Sequence, residues 1–479
     1  MKTPLSAHAP VQTDIPFRLD RLTWSRFHLL VVLGLGITWI LDGLEVTIVG
    51  SLGPALQSHD TLGLSSAALG AVASFYVIGA VTGALVFGWT TDRFGRRLVF
   101  YVTLAVYLSG VLLSALAWDF WSFAFFRLLT GLGIGGEYAA VNSAIDELIP
   151  AKYRGRVDLI VNGSFWLGAA CGALATPLLL NPAIFPVNLG WRLGFGIGGI
   201  VGSAILLLRR FVPESPRWLV THCREQEGEA IVAEIESTVA AETGEQLSRP
   251  SERLVVHPRK SFGLKMIFAA MLEKYRERSI LALTLMIAQS FLYNGVFFTF
   301  GLILAHFYHV ENDRIGFYVL PLAIGNFCGP LLLGKLFDTV GRRKMIALTF
   351  GLSGILLIVT ALLFGLNYLT AATQTIAWLV IFFIASPAAS SAYLTASEIF
   401  PLETRALAIA CFYALGTAIG GSIAPSVFGS LIETGSAWHV SLGYLIAALL
   451  LLAAAVTELR FGVDAEGKSL ESIAEPLSG

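Results

Sequence analysis

The chain has 479 residues, of which 55% are hydrophobic and only 14% charged, against about a quarter charged in soluble domains. With a mean hydropathy of +0.72 it carries more apolar surface than roughly three soluble cores could hide, so its solvent is lipid. The 32 Lys+Arg and 33 Asp+Glu leave a formal charge of −1, which excludes the basic excess of a nucleic-acid binder, and the four cysteines, three of them (Cys171, Cys328, Cys411) inside apolar stretches, are too few and too scattered for a disulfide framework.

Twelve apolar runs are long enough to cross about 30 Å of hydrocarbon: near 27–52, 67–90, 98–117, 120–146, 157–180 and 192–210, then 279–305, 315–336, 345–366, 373–396, 406–431 and 437–459. None shows period-2 alternation, so these are helices rather than barrel strands. The expected fold class is an all-α polytopic membrane protein with twelve transmembrane helices in two six-helix halves. The domains are 1–210, a cytoplasmic linker at 211–278, 279–460, and a tail at 461–479. The first run has no small-residue cleavage site behind it and is read as a retained helix. Residues 219–247, rich in Glu and Ala with spaced Ile and Val, predict short amphipathic helices that either latch onto the bundle or lie solvated.

Of the 32 basic residues, 29 fall on the side of the termini and the linker. The opposite loops hold only Arg314, while Arg127 and Arg192 lie in or at the edge of spans. The positive-inside rule therefore puts both termini in the cytoplasm. The exterior loops are short and carry no Asn-x-Ser/Thr sequon, which favours a bacterial inner membrane.

The two halves repeat. Gly88 to Arg97 (GWTTDRFGRR) returns as Gly334 to Arg343 (GKLFDTVGRR), and Glu147 to Arg154 (ELIPAKYR) returns as Glu398 to Arg405 (EIFPLETR), at offsets of 246 and 251 residues. Two motifs in register imply a parallel repeat about an axis along the membrane normal, an arrangement of transporters that bind substrate between halves. With these loops, with Arg127 and Gly131 as Arg-x-x-x-Gly, and with PESPRW at Pro213 to Trp218, the chain resembles the major facilitator superfamily over nearly its whole length. Gln289 and Asn294 match the sugar-porter branch. Phe297 and Phe298 replace its two tyrosines, Tyr393 its tryptophan, and Ser390 and Ala392 its prolines. Gly135, Gly136 and Glu137 are more similar to branches that carry organic acids and other metabolites.

Charges inside lipid cost several kcal/mol and mark function by default. Glu45 lies seven residues from the outer end of the first run and Arg127 seven from the outer start of the fourth. At 1.5 Å per residue the two share a depth and can pair. The resemblance implies that this acid, paired with the arginine, takes up the coupling proton; the plainer reading is a static ion pair. Asp42 shares a helical face with Glu45 and is a second acid, a substrate contact, or a local cap beside Gly43. Glu137 orients Arg154 or bonds across helices. For the substrate, Gln289, Ser290, Tyr293 and Asn294 lie near the centre of the seventh run and offer donors and acceptors, with Trp166 and Tyr393 as apolar walls. Trp378 reads as an interfacial or packing residue. Asp92, Arg96, Arg97, Glu147, Arg154, Glu214, Arg217, Asp338, Arg342, Arg343, Glu398 and Arg405 form ion-pair networks that gate the cytoplasmic side, or else only enforce topology.

Four Gly-x-x-x-Gly pairs (79/83, 131/135, 194/198, 416/420) predict close helix crossings. Gly131 to Gly136 (GLGIGG) follows no strand and is no dinucleotide site, and with neither P-loop nor zinc spacing no cofactor or metal is expected. The expected function is proton-coupled uptake of a small polar organic solute (an organic or aromatic acid or a sugar) by a monomer. Partners are the solute, protons and lipid. A proton-coupled efflux antiporter, an uncoupled facilitator or a membrane sensor are the alternatives. An enzyme is not expected, since no nucleophile with a partnered base is visible.

Overall fold

A computed structural model describes residues 11–179, 181, 183–203, 212–245, 247, 249–256, 269–297, 299–310 and 314–475. The last third of the sixth run (204–210), linker residues 257–268, Phe298 and the end of the tail (476–479) lie outside the described residues.

The first half contains α1 (Ile15–Asp20), α2 (Arg26–Gln57), α3 (Ser66–Phe94), α4 (Arg96–Ser114), α5 (Phe120–Leu148), α6 (Arg154–Gly163), α7 (Phe165–Leu179) and α8 (Val187–Ser203). The linker holds α9 (Pro216–Thr221) and α10 (Glu225–Thr243). The second half contains α11 (Arg276–Phe291), α12 (Phe300–Tyr308), α13 (Ile315–Thr339), α14 (Arg342–Gly365), α15 (Ala371–Glu398), α16 (Arg405–Gly416), α17 (Ser422–Glu433), α18 (Ala437–Phe461) and, in the tail, α19 (Leu470–Ile473). Among the described residues nine helices are long and apolar enough to cross a membrane. Three of the expected runs are jointed: α6 meets α7 at Ser164, and π-helical turns at Leu292–Phe297 and Thr417–Gly421 join α11 to the α12 region and α16 to α17. Such turns often mark functional sites. Helix α2 runs unbroken through Gly43, so Asp42 is no local cap.

Trp118 and Trp121 are 72% and 69% exposed, and Phe317, Tyr368 and Trp438 join them on the surface at the end away from the linker, as an interfacial aromatic belt requires. Within the first half, α3 packs on α5 and α2 on α7; in the second, α13 packs on α15 and α14 on α18. A Cβ on Gly131 or Gly135 would come within 2.0 Å of the Tyr76 or Ala80 carbonyl, so glycine permits the α3–α5 crossing, and Gly79 and Gly83 do the same from the other side. Gly416 and Gly420 likewise lie against α11, at Met286 and Ile287. Among the described residues the nearest atom to a Cβ on Gly198 is Leu44 Cδ2 at 3.9 Å, an ordinary contact.

The halves meet chiefly where α3 packs on α16 and α13 on α6 and α7, with α15 reaching α5 and α6. Gly88, first residue of the repeated loop motif, lies in the α3–α16 crossing, where a Cβ would stand 2.5 Å from Ala410 Cβ.

Outside the bundle, the segment before α1 forms a two-stranded antiparallel sheet that the sequence did not suggest: β1 (Val11–Thr13) pairs with β2 (Leu254–Val256) of the linker, Gln12 opposite Val255. Ile15, Leu19 and Leu22 pack on Val232, Ile235 and Val239 of α10, so the amphipathic linker helix is docked. Arg18 donates to Glu236 at 2.6 Å and Glu229 at 2.5 Å, and Arg21 to Glu236 at 2.6 Å. Burial alone raises the Glu236 carboxyl, but the Arg18 and Arg21 guanidiniums outweigh it and hold the group below its usual 4.5.

Two outcomes follow from this packing. A carboxylate whose folded value is depressed contributes stability that is present above its unfolded value and lost as pH falls through the folded one. Amide exchange within α10, corrected for intrinsic rates, is therefore expected to rise between about pH 5 and about pH 3 in the native chain and to be high throughout in Arg18→Gln; equal protection in both would contradict the docking role. Separately, Gly88→Leu forces α3 from α16. In a chain with Cys171, Cys223 and Cys328 replaced by serine, maleimide labelling of the buried Cys411 is expected to speed several-fold, and unchanged labelling would contradict the crossing.

Candidate functional site

Between the halves lies a cavity of about 230 Å³ lined by α2, α3, α5, α6 and α7 on one side and by α11, the 292–297 turn, α15, α16 and the 417–421 turn on the other. All six residues expected at the substrate site line it: Trp166, Gln289, Ser290, Tyr293, Asn294 and Tyr393. Eight of its twenty lining residues are aromatic, and Asp42 is the one charged side chain among the described lining residues.

Asp42 sits fully buried in that wall. It accepts from the Tyr76 hydroxyl at 2.9 Å and from the Tyr138 hydroxyl. Tyr138 stacks on Trp39 at 4.5 Å and meets Tyr413 edge-on at 5.0 Å; Trp39 also meets Tyr393 edge-on at 5.8 Å. The sequence reading missed Trp39, Tyr76 and Tyr138, since single aromatics in apolar runs look like packing.

Glu45, one turn further along α2, accepts from Arg127 Nη1, and both side chains are buried. The pairing expected from depth is thus formed. It stands behind Tyr76, whose ring faces the Arg127 guanidinium at 4.9 Å while its hydroxyl bonds Asp42. Tyr76 therefore bridges the ion pair to the cavity acid. The local sum of Asp42, Glu45 and Arg127 is one negative charge when all are ionised.

On the opposite wall Gln289 Nε2 donates to Ser290 Oγ at 3.2 Å and Asn294 Nδ2 to the Ser290 carbonyl at 2.9 Å. Gln289 also interacts with the Tyr393 side chain, and both amides line the cavity with donors and acceptors for a ligand. Tyr293 turns its hydroxyl to Asn326 Oδ1 at 2.7 Å, so it presents ring rather than hydroxyl, 5.4 Å from Trp166. Trp378 is buried against Phe300, Phe382 and Tyr444 and is a packing residue, as expected. Glu137 accepts from the Thr103 hydroxyl at 2.9 Å, the bond across helices that is one of its two expected roles.

The repeated motifs converge at the linker end. Asp92 accepts from the backbone N–H groups of Ala406 (3.3 Å) and Leu407 (2.9 Å), in the first turn of α16. Asp338 accepts from those of Gly155 (3.1 Å) and Arg156 (2.8 Å), in the first turn of α6. Each half thus caps a helix N-terminus of the other, where unpaired N–H groups and the helix dipole favour a carboxylate. Arg96 joins Asp92 (3.3 Å) to Glu147 (2.8 Å), and Arg342 joins Asp338 (2.7 Å) to Glu398 (3.0 Å). Glu147 reaches Arg405 at 3.5 Å and Glu398 reaches Arg154 at 3.9 Å, both across the halves.

Three expected ion-pair members behave differently. Glu214 accepts from the backbone N–H of Arg96 (2.8 Å) and Arg97 (3.2 Å), capping α4, and among the described residues makes no side-chain ion pair. Among the described residues Arg97 makes no side-chain ion pair, and Arg343 donates to the Leu459 carbonyl. The tail repeats the Glu214 device: Glu466 accepts from the Arg342 N–H at 3.3 Å. These caps explain the motif glycines. Gly95 (φ 98°) and Gly341 (φ 116°) adopt left-handed backbone, open to glycine, and a Cβ at Gly95 would lie 2.3 Å from a Glu214 oxygen. Arg217 binds Asp20 (2.9 Å) of α1 and Glu471 (2.6 Å) of α19, and Arg154 also binds Asp20 at 2.9 Å. Both acids come from the terminal segments and carry no motif, which is why sequence reasoning missed them. Among the described residues, every ion pair that joins the two halves lies at this end, and no group of three or more His, Cys, Asp or Glu is placed to hold a metal.

Comparison with known proteins agrees with this architecture. Residues 48–477 match the family model described as "Sugar (and other) transporter". The niacin transporter NiaP of Acinetobacter baylyi is 26% identical, with 96% of this chain and 99% of that protein covered. Organic cation/carnitine transporter 7 of Arabidopsis thaliana is 24% identical, with 94% of each covered. In fold, the proton:xylose symporter XylE bound to 6-bromo-6-deoxy-D-glucose superposes with a TM-score of 0.77 at 19% identity, over 93% of this chain and 98% of that one. A partially occluded inward-open form of the E. coli protein gives 0.66 at 18% identity, over 93% and 100%. With its two-half helical bundle and its two copies of the loop motif, the chain belongs to the sugar (and other) transporter family of the major facilitator superfamily, membrane transporters rather than enzymes.

Proposed function

We propose that this chain is a secondary active transporter of the cytoplasmic membrane that takes up a small polar organic solute together with protons by alternating access. In this reading twelve helices span the membrane, and the linker and both termini are cytoplasmic. One observation carries the proposal: among the described residues, a cavity between the halves has one buried carboxylate for its charge, and the ion pairs that join the halves lie at the linker end. A single copy encloses the whole cavity, which supports a monomeric transport unit.

The geometry supplies a reason for coupling. An anionic solute entering the cavity meets Asp42 in a low-dielectric site, and like charges there cost several kcal/mol. A proton on Asp42 or Glu45 removes the repulsion, and Tyr76 ties the two acids into one unit. Solute and proton then favour each other's binding, the reciprocity any coupling requires. The Arg127 guanidinium remains to stabilise whichever carboxylate is ionised. Eight aromatic walls favour a flat ring over a fully hydroxylated one, and the amides of Gln289 and Asn294 suit its hydroxyl, amide or carboxyl groups. Relatives that carry niacin and organic cations agree with a small ring-bearing or nitrogenous solute, and the symporter fold agrees with proton coupling.

Alternating access follows from what holds the linker end. Opening there must break the Asp92 and Asp338 caps and the cross-half pairs of Glu147 and Glu398. Closure gives each buried helix N-terminus its carboxylate acceptor, so the closed state is the resting one until solute and proton bind.

Proteoliposomes with an internal pH dye, challenged with sugars, aromatic acids and aliphatic acids, test the reading. One solute is expected to drive proton entry in the native protein. Glu45→Gln is expected to abolish that entry while exchange of labelled solute across the membrane continues. Solute entry with no proton signal in either protein would make the chain a facilitator, and solute-driven alkalinisation would make it an antiporter. Gln289→Leu is expected to raise the KM of uptake about tenfold, the loss of one hydrogen bond of about 1–1.5 kcal/mol, with the proton-to-solute ratio unchanged. An unaltered KM would remove Gln289 from the solute site.

A further inference from the structure

Tyr138, Asn142 and Asp146 stand four residues apart on α5, and Asp158 and Asn162 four apart on α6, so each set shares one helical face. The two faces meet: Asn162 Nδ2 donates to Asn142 Oδ1 at 2.9 Å, and Asn142 Nδ2 to the Tyr138 carbonyl at 2.7 Å. Asn162 lines the cavity, and its own Oδ1 is buried without a partner. One turn further toward the linker end, the same faces bring Asp146 and Asp158 together. Both are 0% exposed, and none of their four carboxylate oxygens has a hydrogen-bond partner.

The donors around them are spent elsewhere. Asn162 gives its other N–H to the Asp158 backbone carbonyl at 2.9 Å, and Ser397, beside Asp146, gives its hydroxyl to the Leu394 carbonyl at 2.8 Å. Arg154 and Arg405 face Asp146, and Arg342 faces Asp158, with Glu398 adding negative charge toward both. Those cations are already engaged: Arg342 is gripped by both oxygens of Glu398 (3.0 and 3.1 Å) and by Asp338, Arg405 by Glu147 and the Ser397 carbonyl (2.7 Å), and Arg154 by Asp20. Two buried carboxylates whose neighbouring donors, Ser397 and Asn162, bond backbone carbonyls and whose neighbouring cations are engaged do not both stay ionised, because an uncompensated buried charge costs several kcal/mol and carboxylates sharing a site hold a proton between them.

We propose that Asp146 and Asp158 form a second proton site, one turn from the cavity, that is loaded when the linker-side gate closes and unloaded when it opens. On closure a carboxylate oxygen of the pair takes a proton from a hydronium ion of the linker-side water, which is left as water. On opening, that O–H bond breaks, the proton leaves to water on the linker side, and Arg154 of the same half, released from Glu398 of the other, balances the carboxylate left behind. This rests on the gate assigned above but not on the identity of the solute. It makes opening of the gate easier at high pH on the linker side.

The test needs no solute. In the chain whose only cysteine is Cys411, reconstituted in liposomes, maleimide labelling is followed from about pH 6 to about pH 8.5 and divided by the labelling of a denatured control, which cancels the thiol's own titration. The native pair is expected to show labelling that rises several-fold with pH. Asp146→Asn/Asp158→Asn is expected to show no pH dependence, and Asp158→Glu, which keeps an acid at the site, to retain it. The same slope in the double amide variant and the native chain would overturn the proposal. So would a flat native profile, and so would a double variant that labels like the denatured control while Asp158→Glu is also flat. Glu45→Gln separates the two readings: it is expected to keep the slope of Cys411 labelling while losing solute-driven proton entry, so failure of the coupling reading leaves this slope intact.

Discussion

The structure depends on a reciprocal exchange of carboxylates at one end of the bundle. Asp92 leaves the first half to cap α16 of the second, and Asp338 leaves the second to cap α6 of the first. A helix N-terminus buried at an interface must find acceptors for its free N–H groups, and here the acceptor belongs to the other half. Closing the linker end therefore satisfies both helices, and opening it exposes both. Arg96 and Arg342 set the two aspartates in place, while Gly95 and Gly341 supply the left-handed turn that brings a cap from Glu214 or Glu466 under the next helix. The loop motif reads as one device used twice, each residue type there for a separate physical reason.

The central site follows from that constraint. With the halves held together at the linker end, α2, α3 and α5 face α11, α15 and α16 across a cavity whose wall is aromatic and whose charge is Asp42. The acid does not stand alone: Tyr76 and Tyr138 donate to it, and Tyr76 passes its influence to the Glu45–Arg127 pair. A solute therefore senses a unit of two acids and one base that accepts one positive charge. That charge can arrive as a proton, which is why uptake and proton entry belong to one cycle in this account.

Much of this was legible in the sequence, for identifiable reasons. Apolar runs of about 20 residues locate helices because lipid leaves few alternatives, and the helix bounds fall within a few residues of those runs. Glu45 and Arg127 could be paired from depth alone, since 1.5 Å per residue converts position into height. Gln289 and Asn294 stood out because buried amides are costly. What stayed hidden lacks a local signal. Trp39 and Tyr138 look like any packing aromatic until their ring geometry is seen. Asp20, Glu466 and Glu471 reach the gate from terminal segments far away in the chain. Asp146 sits in the last turn of α5 and Asp158 in the second turn of α6, near the loops, where an acid ordinarily looks like topology or capping. Glu214 and Arg97, expected in side-chain ion pairs, act through backbone N–H groups, which no pattern of residue types reveals.

The central claim is that the linker end alternates between a closed state, held by the exchanged carboxylates, and an open one. Spin labels on the exposed Lys152 and Lys344, one in each half beside the gate, measure that directly by pulsed dipolar spectroscopy in liposomes. The account predicts a dominant short distance for the native chain and a second, longer population that grows in Asp92→Asn/Asp338→Asn. A single distance, unchanged by loss of both caps, would contradict it.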